Sequence, residues 1–227
     1  MRHYSFPGPA ITPAKILSKG YERILINSIK DYKIAKDIII VLCEDDLLSD
    51  EGLVKLKSFV RWCQHLGVEI VTIYVSVIGD DEVENIIYPR LTSQILEVLS
   101  NTDTNVFIYT KYGTNNIKKS AKLQINVSIG FGGREELTEA IKQIMKDVEQ
   151  GKIEPEKIDS EMIESHLIFR SEPDLIIRSG GRLTDFLIWQ SIYSELYFTE
   201  VNWRNFRKLD LLRAIRDYQN RQRRYGK

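Results

Sequence analysis

Cysteine is scarce in this 227-residue chain, which has only Cys43 and Cys63. Two thiols make no disulfide scaffold, and free thiols in a reducing compartment are the simplest reading. The three histidines, His3, His65 and His166, share no metal-ligand spacing. No apolar run approaches the roughly 18 residues a transmembrane helix needs. The opening MRHYSFPGPAITP lacks the apolar core of a secretory signal. A cytoplasmic protein is expected, with peripheral membrane contact left open. Excess charge is missing too: 32 basic residues balance 32 acidic ones. Aromatic residues are not interleaved with basic ones as nucleic-acid platforms are, so no nucleic-acid partner is expected. Repeats, low-complexity tracts and Gly/Ser linkers are absent. What remains is globular, 43% apolar and 28% charged, and long enough to bury a substantial core.

The zero net charge conceals an uneven distribution. Residues 1–36 carry +5, residues 204–227 carry +7, and the middle carries −12. Basic ends attract anions such as a membrane surface, a diphosphate or an acidic partner; solvated helix faces are the plainer alternative. From Pro13 to Lys36, Ile16, Leu17, Tyr21, Ile24, Leu25 and Ile29 recur at helical spacing. This amphipathic helix suits either an anionic membrane or docking on the body of the protein. It sets off an N-terminal arm, 1–36, from a single α/β domain, 37–227.

That domain alternates apolar runs with helical patterns. Strands are expected at 37–43, 68–75, 105–110, 123–129 and 174–178, and helices at about 52–66, 82–100, 134–150 and 184–195. The pattern predicts an α/β fold with a mostly parallel central sheet flanked by helices. Ligands of such sheets bind beyond the carboxyl ends of the strands. Two of those ends stand out. Cys43-Glu44-Asp45-Asp46 is acidic, and Arg178-Ser179-Gly180-Gly181-Arg182 is basic and glycine-rich. In the second, the glycines let backbone approach a ligand, Thr184 can cap a helix, and two guanidiniums can fork onto phosphate. This describes a diphosphate pocket, or else an ordinary strand–turn–helix corner with solvated arginines.

The segment DLIIRSGGRLTDFLIWQSIYSELYFTEVNWRNF, Asp174 to Phe206, resembles the C-terminal signature of the cis-prenyltransferases, the undecaprenyl and polyprenyl diphosphate synthase family. It shares Phe-Leu-x-Trp-Gln-x-x-Tyr-x-Glu with that signature. Ile125-Asn126 with Gly132-Gly133-Arg134 resembles the family's strand ending in N-Y-G-G-R. The resemblance implies the family's fold. It also implies that Arg178, Gly180, Gly181, Arg182 and Thr184 hold the diphosphate of isopentenyl diphosphate, and that Glu195 helps bind Mg²⁺. Trp203 and Phe206 match aromatic positions and are expected to pack.

The departures fall on one side. After its first strand the family carries D-G-N-G-R, whose Asp binds Mg²⁺ and whose loop cradles the allylic diphosphate. Here Glu44 and Asp45 stand in that place, without the glycines or the arginine. They are the candidate metal ligands. The motif F-S-x-E-N-W-x-R-P is missing, and Gly130 replaces the asparagine of N-Y-G-G-R. The chain ends in Arg224-Tyr225-Gly226-Lys227, similar to the Arg-x-Gly tail by which non-catalytic subunits of heteromeric members reach a partner's substrate. Arg224 and Gly226 are therefore further diphosphate candidates, a solvated tail being the alternative. The resemblance implies a subunit of a cis-polyprenyl diphosphate synthase that condenses isopentenyl diphosphate onto an allylic diphosphate. A catalytic subunit or a second copy would be its partner, and that partner would hold most of the Mg²⁺. The alternatives are an autonomous synthase with a divergent Mg²⁺ site, or an isopentenyl-diphosphate-binding protein.

Overall fold

The structure, a computed structural model, describes residues 13–30, 34–179 and 189–221. In chain order the strands are β1 (Asp37–Cys43), β2 (Ile70–Ser76), β3 (Thr104–Thr110), β4 (Gly113–Ile117), β5 (Leu123–Ile129), β6 (Leu175–Ser179) and β7 (Glu195–Thr199). The helices are α1 (Pro13–Lys30), α2 (Glu44–Leu47), α3 (Asp50–Leu66), α4 (Asp81–Ser100), α5 (Gly133–Glu149), α6 (Ser160–His166) and α7 (Lys208–Asn220).

The strands form one seven-stranded sheet in the order β4-β3-β5-β2-β1-β6-β7. Neighbours run parallel except β3 and β4. The run of β-branched residues in β1 places it inside the sheet, where both faces are covered. Ile38, Ile40 and Leu42 enter the main core, while Ile39 and Val41 join a smaller cluster with Tyr74, Phe169 and Ile176 on the opposite face. From β1 the chain moves one way, to β2; from β5 it crosses to the other side of β1, to β6. The ends of β1 and β6 therefore flank the switch point of the sheet, where a crevice for ligands opens.

α3 starts at Ser49, whose Oγ accepts a hydrogen bond from Gly52 N at 3.2 Å, and stops at Gly67 in the left-handed conformation. Its apolar stripe, including Leu56, Phe59 and Val60, is fully buried. Phe59 meets Trp203 and Phe206 edge-on, with centroids 5.6 and 6.0 Å apart. Both aromatic residues pack in the core, as the sequence leads one to expect. α1 lies on α7. Leu25 and Ile29 are buried there, and Gln219 Nε2 donates to Ile29 O at 3.1 Å, while Tyr21 and Ile24 face solvent. Among the described residues no helix is long and apolar enough to cross a membrane.

The elements depart from the sequence reading in several places: the short helices α2 and α6 and the longer α7 were not expected, and two further differences concern the sheet. The helix expected over 184–195 begins outside the described residues, and its second half is not helical: residues 189–193 make turns, and Glu195–Thr199 is β7. Leu-Tyr-Phe-Thr favours strand, and Glu195 N donates to Asp174 O, zipping the segment onto β6. β4, Gly-Thr-Asn-Asn-Ile, was not expected: an exposed edge strand has no apolar face to announce it.

Candidate functional site

At the end of β1 the chain turns straight into α2. Asp46 Oδ2 accepts a hydrogen bond from Cys43 N at 3.0 Å and closes the turn. α3 crosses α2 so closely that a Cβ on Gly52 would stand 1.7 Å from Asp46 O. Trp203 Nε1 donates to Gly52 O at 3.1 Å and pins that crossing. The acidic segment is therefore wedged in place. Glu44 Oε1 accepts from Ile78 N at 3.3 Å, and its Oε2 is buried with no hydrogen-bond partner among the described residues. Asp45 is exposed. Burial raises the Asp46 carboxyl above the usual range, opposed by the Cys43 amide and by Arg204 and Arg178. Burial likewise raises the Cys43 thiol, with Asp46 adding to it and Arg178 opposing. Arg178 is thus a cationic neighbour of Cys43, but burial and the carboxylates outweigh it.

Arg178 stands on β6 opposite Val41, with only 3% of its surface exposed. It is the sequence-predicted diphosphate ligand that the structure brings to the switch point, beside the acidic turn. Ser179 Oγ donates to Val201 O at 2.8 Å and ties the end of β6 to the segment after β7. Gly180, Gly181, Arg182, Thr184, Arg224 and Gly226 lie outside the described residues.

Glu195, implied by the resemblance as a Mg²⁺ ligand, lies apart from Glu44 and Asp45 in this chain. It opens β7 opposite Leu175, at the amino end of the parallel strands, and pairs with Arg221 at 3.0 Å. Leu175 and Ser179 are separated by roughly 13 Å of strand at about 3.3 Å per residue. Glu195 thus sits at the far end of the sheet from Glu44 and Asp45, and one chain does not join them around one ion. Among the described residues no three His, Cys, Asp or Glu side chains gather to hold a metal. At the acidic turn Glu44 Oε2 and the exposed Asp45 carboxylate are oxygen donors of the kind Mg²⁺ takes, with water and substrate phosphates completing its shell.

Two features escaped the sequence. Gly130 ends β5 with φ +63°, and a Cβ there would meet the Tyr88 hydroxyl at 2.0 Å. Tyr88, from α4, is 2% exposed; burial raises its hydroxyl, and Glu84 adds to the shift. The tyrosine fills the space a side chain at 130 would need, which accounts for the glycine at that position. The second feature is a buried carboxylate, Glu136, in the first turn of α5. Glu136 Oε1 accepts from Phe169 N at 2.8 Å and Oε2 from Gln190 Nε2 at 2.9 Å. Burial raises this carboxyl against the pull of the Phe169 amide, Gln190 and the Ile168 amide. The partners of Glu136 are 33 and 54 residues away, so no local pattern announces them.

Comparison with known proteins places this geometry. Residues 80–226 match the prenyltransferase family described as "Putative undecaprenyl diphosphate synthase". The tritrans,polycis-undecaprenyl-diphosphate synthase (geranylgeranyl-diphosphate specific) of Methanocaldococcus jannaschii is 33% identical over 92% of this chain and 89% of its own length. The protein of that name from Picrophilus torridus is 36% identical over 78% of this chain and 79% of its own. The crystal structure of lavandulyl diphosphate synthase from Lavandula x intermedia, in complex with dimethylallyl diphosphate, superposes with a TM-score of 0.69. It is 22% identical, and the match covers 86% of this chain and 99% of the plant chain. At that identity the likeness concerns the fold, which agrees with the mostly parallel sheet flanked by helices. The chain belongs to the undecaprenyl diphosphate synthase family of cis-prenyltransferases.

Proposed function

We propose that the chain works as one subunit of a cis-polyprenyl diphosphate synthase and needs a catalytic partner chain for turnover. The reaction joins isopentenyl diphosphate to an allylic diphosphate, with loss of diphosphate and formation of a new cis double bond. In this reading Arg178, with Arg182 and Thr184, holds the isopentenyl diphosphate, and Arg224 and Gly226 act on the partner's substrate. Mg²⁺, held mainly by the partner, neutralises the departing diphosphate. One observation carries the proposal. The turn after β1 carries Glu44, Asp45 and Asp46 and no arginine of its own; the cations beside it are Arg204, whose Nη2 donates to Asp45 O at 3.5 Å, and the buried Arg178 near the end of β6. Carboxylates a few ångströms from a bound diphosphate raise its free energy, so this turn by itself is a poor cradle for the allylic substrate. The exposed apolar side chains Ile192, Tyr193, Leu196 and Phe198 on and beside edge strand β7 support association with a second chain.

An autonomous synthase is the second reading. The curated relatives, named as undecaprenyl diphosphate synthases with geranylgeranyl diphosphate as the specified substrate, favour it. So does the uncommitted buried Oε2 of Glu44, which could meet a metal ion. The deciding assay supplies labelled isopentenyl diphosphate, geranylgeranyl diphosphate and Mg²⁺ to the purified chain, alone and with a family member that carries Asp-Gly-Asn-Gly-Arg. Turnover only in the mixture is expected. Steady turnover by the lone chain sinks the subunit reading and establishes the autonomous one.

A further inference from the structure

Between the buried rings of Trp203 and Phe206, which stack with centroids 5.9 Å apart, the chain makes a 3₁₀ turn, Trp203–Asn205. The Asn202 side chain caps it, accepting from Asn205 N at 3.1 Å. Trp203 Nε1 fastens the turn to Gly52 O, and Ser179 Oγ fastens the approach to it at Val201 O. Arg204 is thereby carried to the carboxyl ends of β1 and β6 on a backbone held from both sides. Its own side chain is exposed. Among the described residues its one hydrogen bond runs from Nη2 to Asp45 O at 3.5 Å, beyond the roughly 2.7–3.2 Å of a firm bond. A guanidinium has several more N–H donors, and here they remain open to a ligand. Structural arginines of this chain are used differently. Arg207 forks onto Asp210 through Nε and Nη2, and Arg221 is shared between Asp217 and Glu195. Arg204 makes no such pair with Glu44, Asp45 or Asp46, although its field, like that of Arg178, reaches the Asp46 carboxyl.

We infer that Arg204 binds a substrate diphosphate on the β1 side of the crevice, where the acidic turn supplies no cation of its own. The inference rests on the reading of the crevice between β1 and β6 as a diphosphate site, and it holds whether or not a partner is needed for turnover. The planar fork of a guanidinium matches two phosphate oxygens and holds them in a fixed orientation. Because the backbone beneath Arg204 is already pinned, binding has only one side chain to order. The arginine lies 159 residues beyond the Asp45 carbonyl it touches, so no local motif marks it as part of this site.

The test titrates inorganic diphosphate into the purified chain by calorimetry, with Mg²⁺ present and thermal melts alongside. The variants are Arg204→Ala, Arg204→Lys and Arg178→Ala. Arg204→Ala should weaken binding about ten- to a hundredfold while the melting temperature stays that of the parent. Arg204→Lys keeps the charge but not the fork, and should still bind about three- to tenfold more weakly than the parent. The loss in Arg204→Ala should persist at about 0.5 M salt, where charges more than about 4 Å apart are largely screened. A loss that disappears at that salt, or parent-like binding by Arg204→Lys, makes Arg204 a distant point charge and overturns the inference. Losses that follow the melting temperature make it a brace for the acidic turn and overturn it too. Parent-like binding by Arg204→Ala, with Arg178→Ala impaired, overturns it and leaves the crevice reading standing. Parent-like binding by both alanine variants, or no binding by the parent, removes the crevice reading and the inference with it.

Discussion

The ends of β1 and β6 lie side by side in parallel register, yet they carry opposite chemistry. β1 runs into Glu44, Asp45 and Asp46, locked by the Cys43 amide and by the contact with Gly52. β6 carries Arg178, buried, one residue before its end at Ser179, and the sequence continues Gly180-Gly181-Arg182. A parallel sheet fixes where ligand groups can stand but not their charge, which the first residues after each strand supply. Neighbouring strand ends can therefore diverge separately in charge on one unchanged sheet. The acidic turn is firmly built, with the Asp46 cap on Cys43, a buried leucine at Leu47 and a tryptophan hydrogen bond behind it.

Gly52→Ala should break the contrast most severely. The new Cβ collides with backbone, which cannot yield as a flexible side chain does, and the cost should be about 3 kcal/mol or more. Urea unfolding measures it; a loss under about 1 kcal/mol would mean that α2 is free to move and is not wedged.

The opposite ends of the same two strands offer a pH contrast. Burial lifts Asp37, at the start of β1, from 3.8 to about 6, opposed by Ser171 and reinforced by Asp174. The folded chain thus holds this proton more tightly than the unfolded one. The stability it contributes is complete below pH 3.8 and is lost as pH rises through about 6. At about 1.4 kcal/mol per unit, up to about 3 kcal/mol should be lost. Asp37→Asn should flatten that slope in unfolding titrations from pH 4.5 to 8. A slope equal to the parent's would assign the pH dependence to other groups.

Arg178→Ala tests the attractive half directly. Removing a charge-assisted contact should weaken inorganic diphosphate binding by about 1.5–3 kcal/mol, ten- to a hundredfold, by calorimetry. Parent-like affinity would take Arg178 out of the pocket. The smallest effect belongs to Asp45→Asn. Removing one exposed negative charge near the crevice should strengthen diphosphate binding roughly two- to threefold at low salt, and the gain should vanish by about 0.5 M. A gain that survives high salt would point to a rearranged turn rather than to charge.

Much of this fold is legible in the sequence because burial on both faces writes itself as apolar runs, as in β1 and β2. β4 is illegible for the converse reason, since its polar residues face solvent at an edge. β7 hides because Leu196 and Phe198 follow a stretch whose spacing also suits a helix. At the site, Arg178 is legible as the end of a basic, glycine-rich strand exit. The displacement of Glu195 to the far end of the sheet is not, because it depends on the register of β7 against β6. Gly130 can be noticed as a departure from the family motif, but its cause, the Tyr88 hydroxyl, arrives from another helix. The Glu136–Gln190 link spans 54 residues and leaves no local trace.

The uncovered edge of the sheet at β7 also bears on how the chain fares in a cell. Among the described residues Leu196 and Phe198 project from a strand that pairs on one side only, with β6. A chain that covers this edge binds the folded form and not the unfolded one, so it draws the folding equilibrium toward itself by mass action. A chain with such an edge, if produced in excess of what covers it, is prone to aggregation and to proteolytic clearance. Its abundance would then follow that of whatever occupies the edge, a form of stoichiometric control that needs no dedicated regulator.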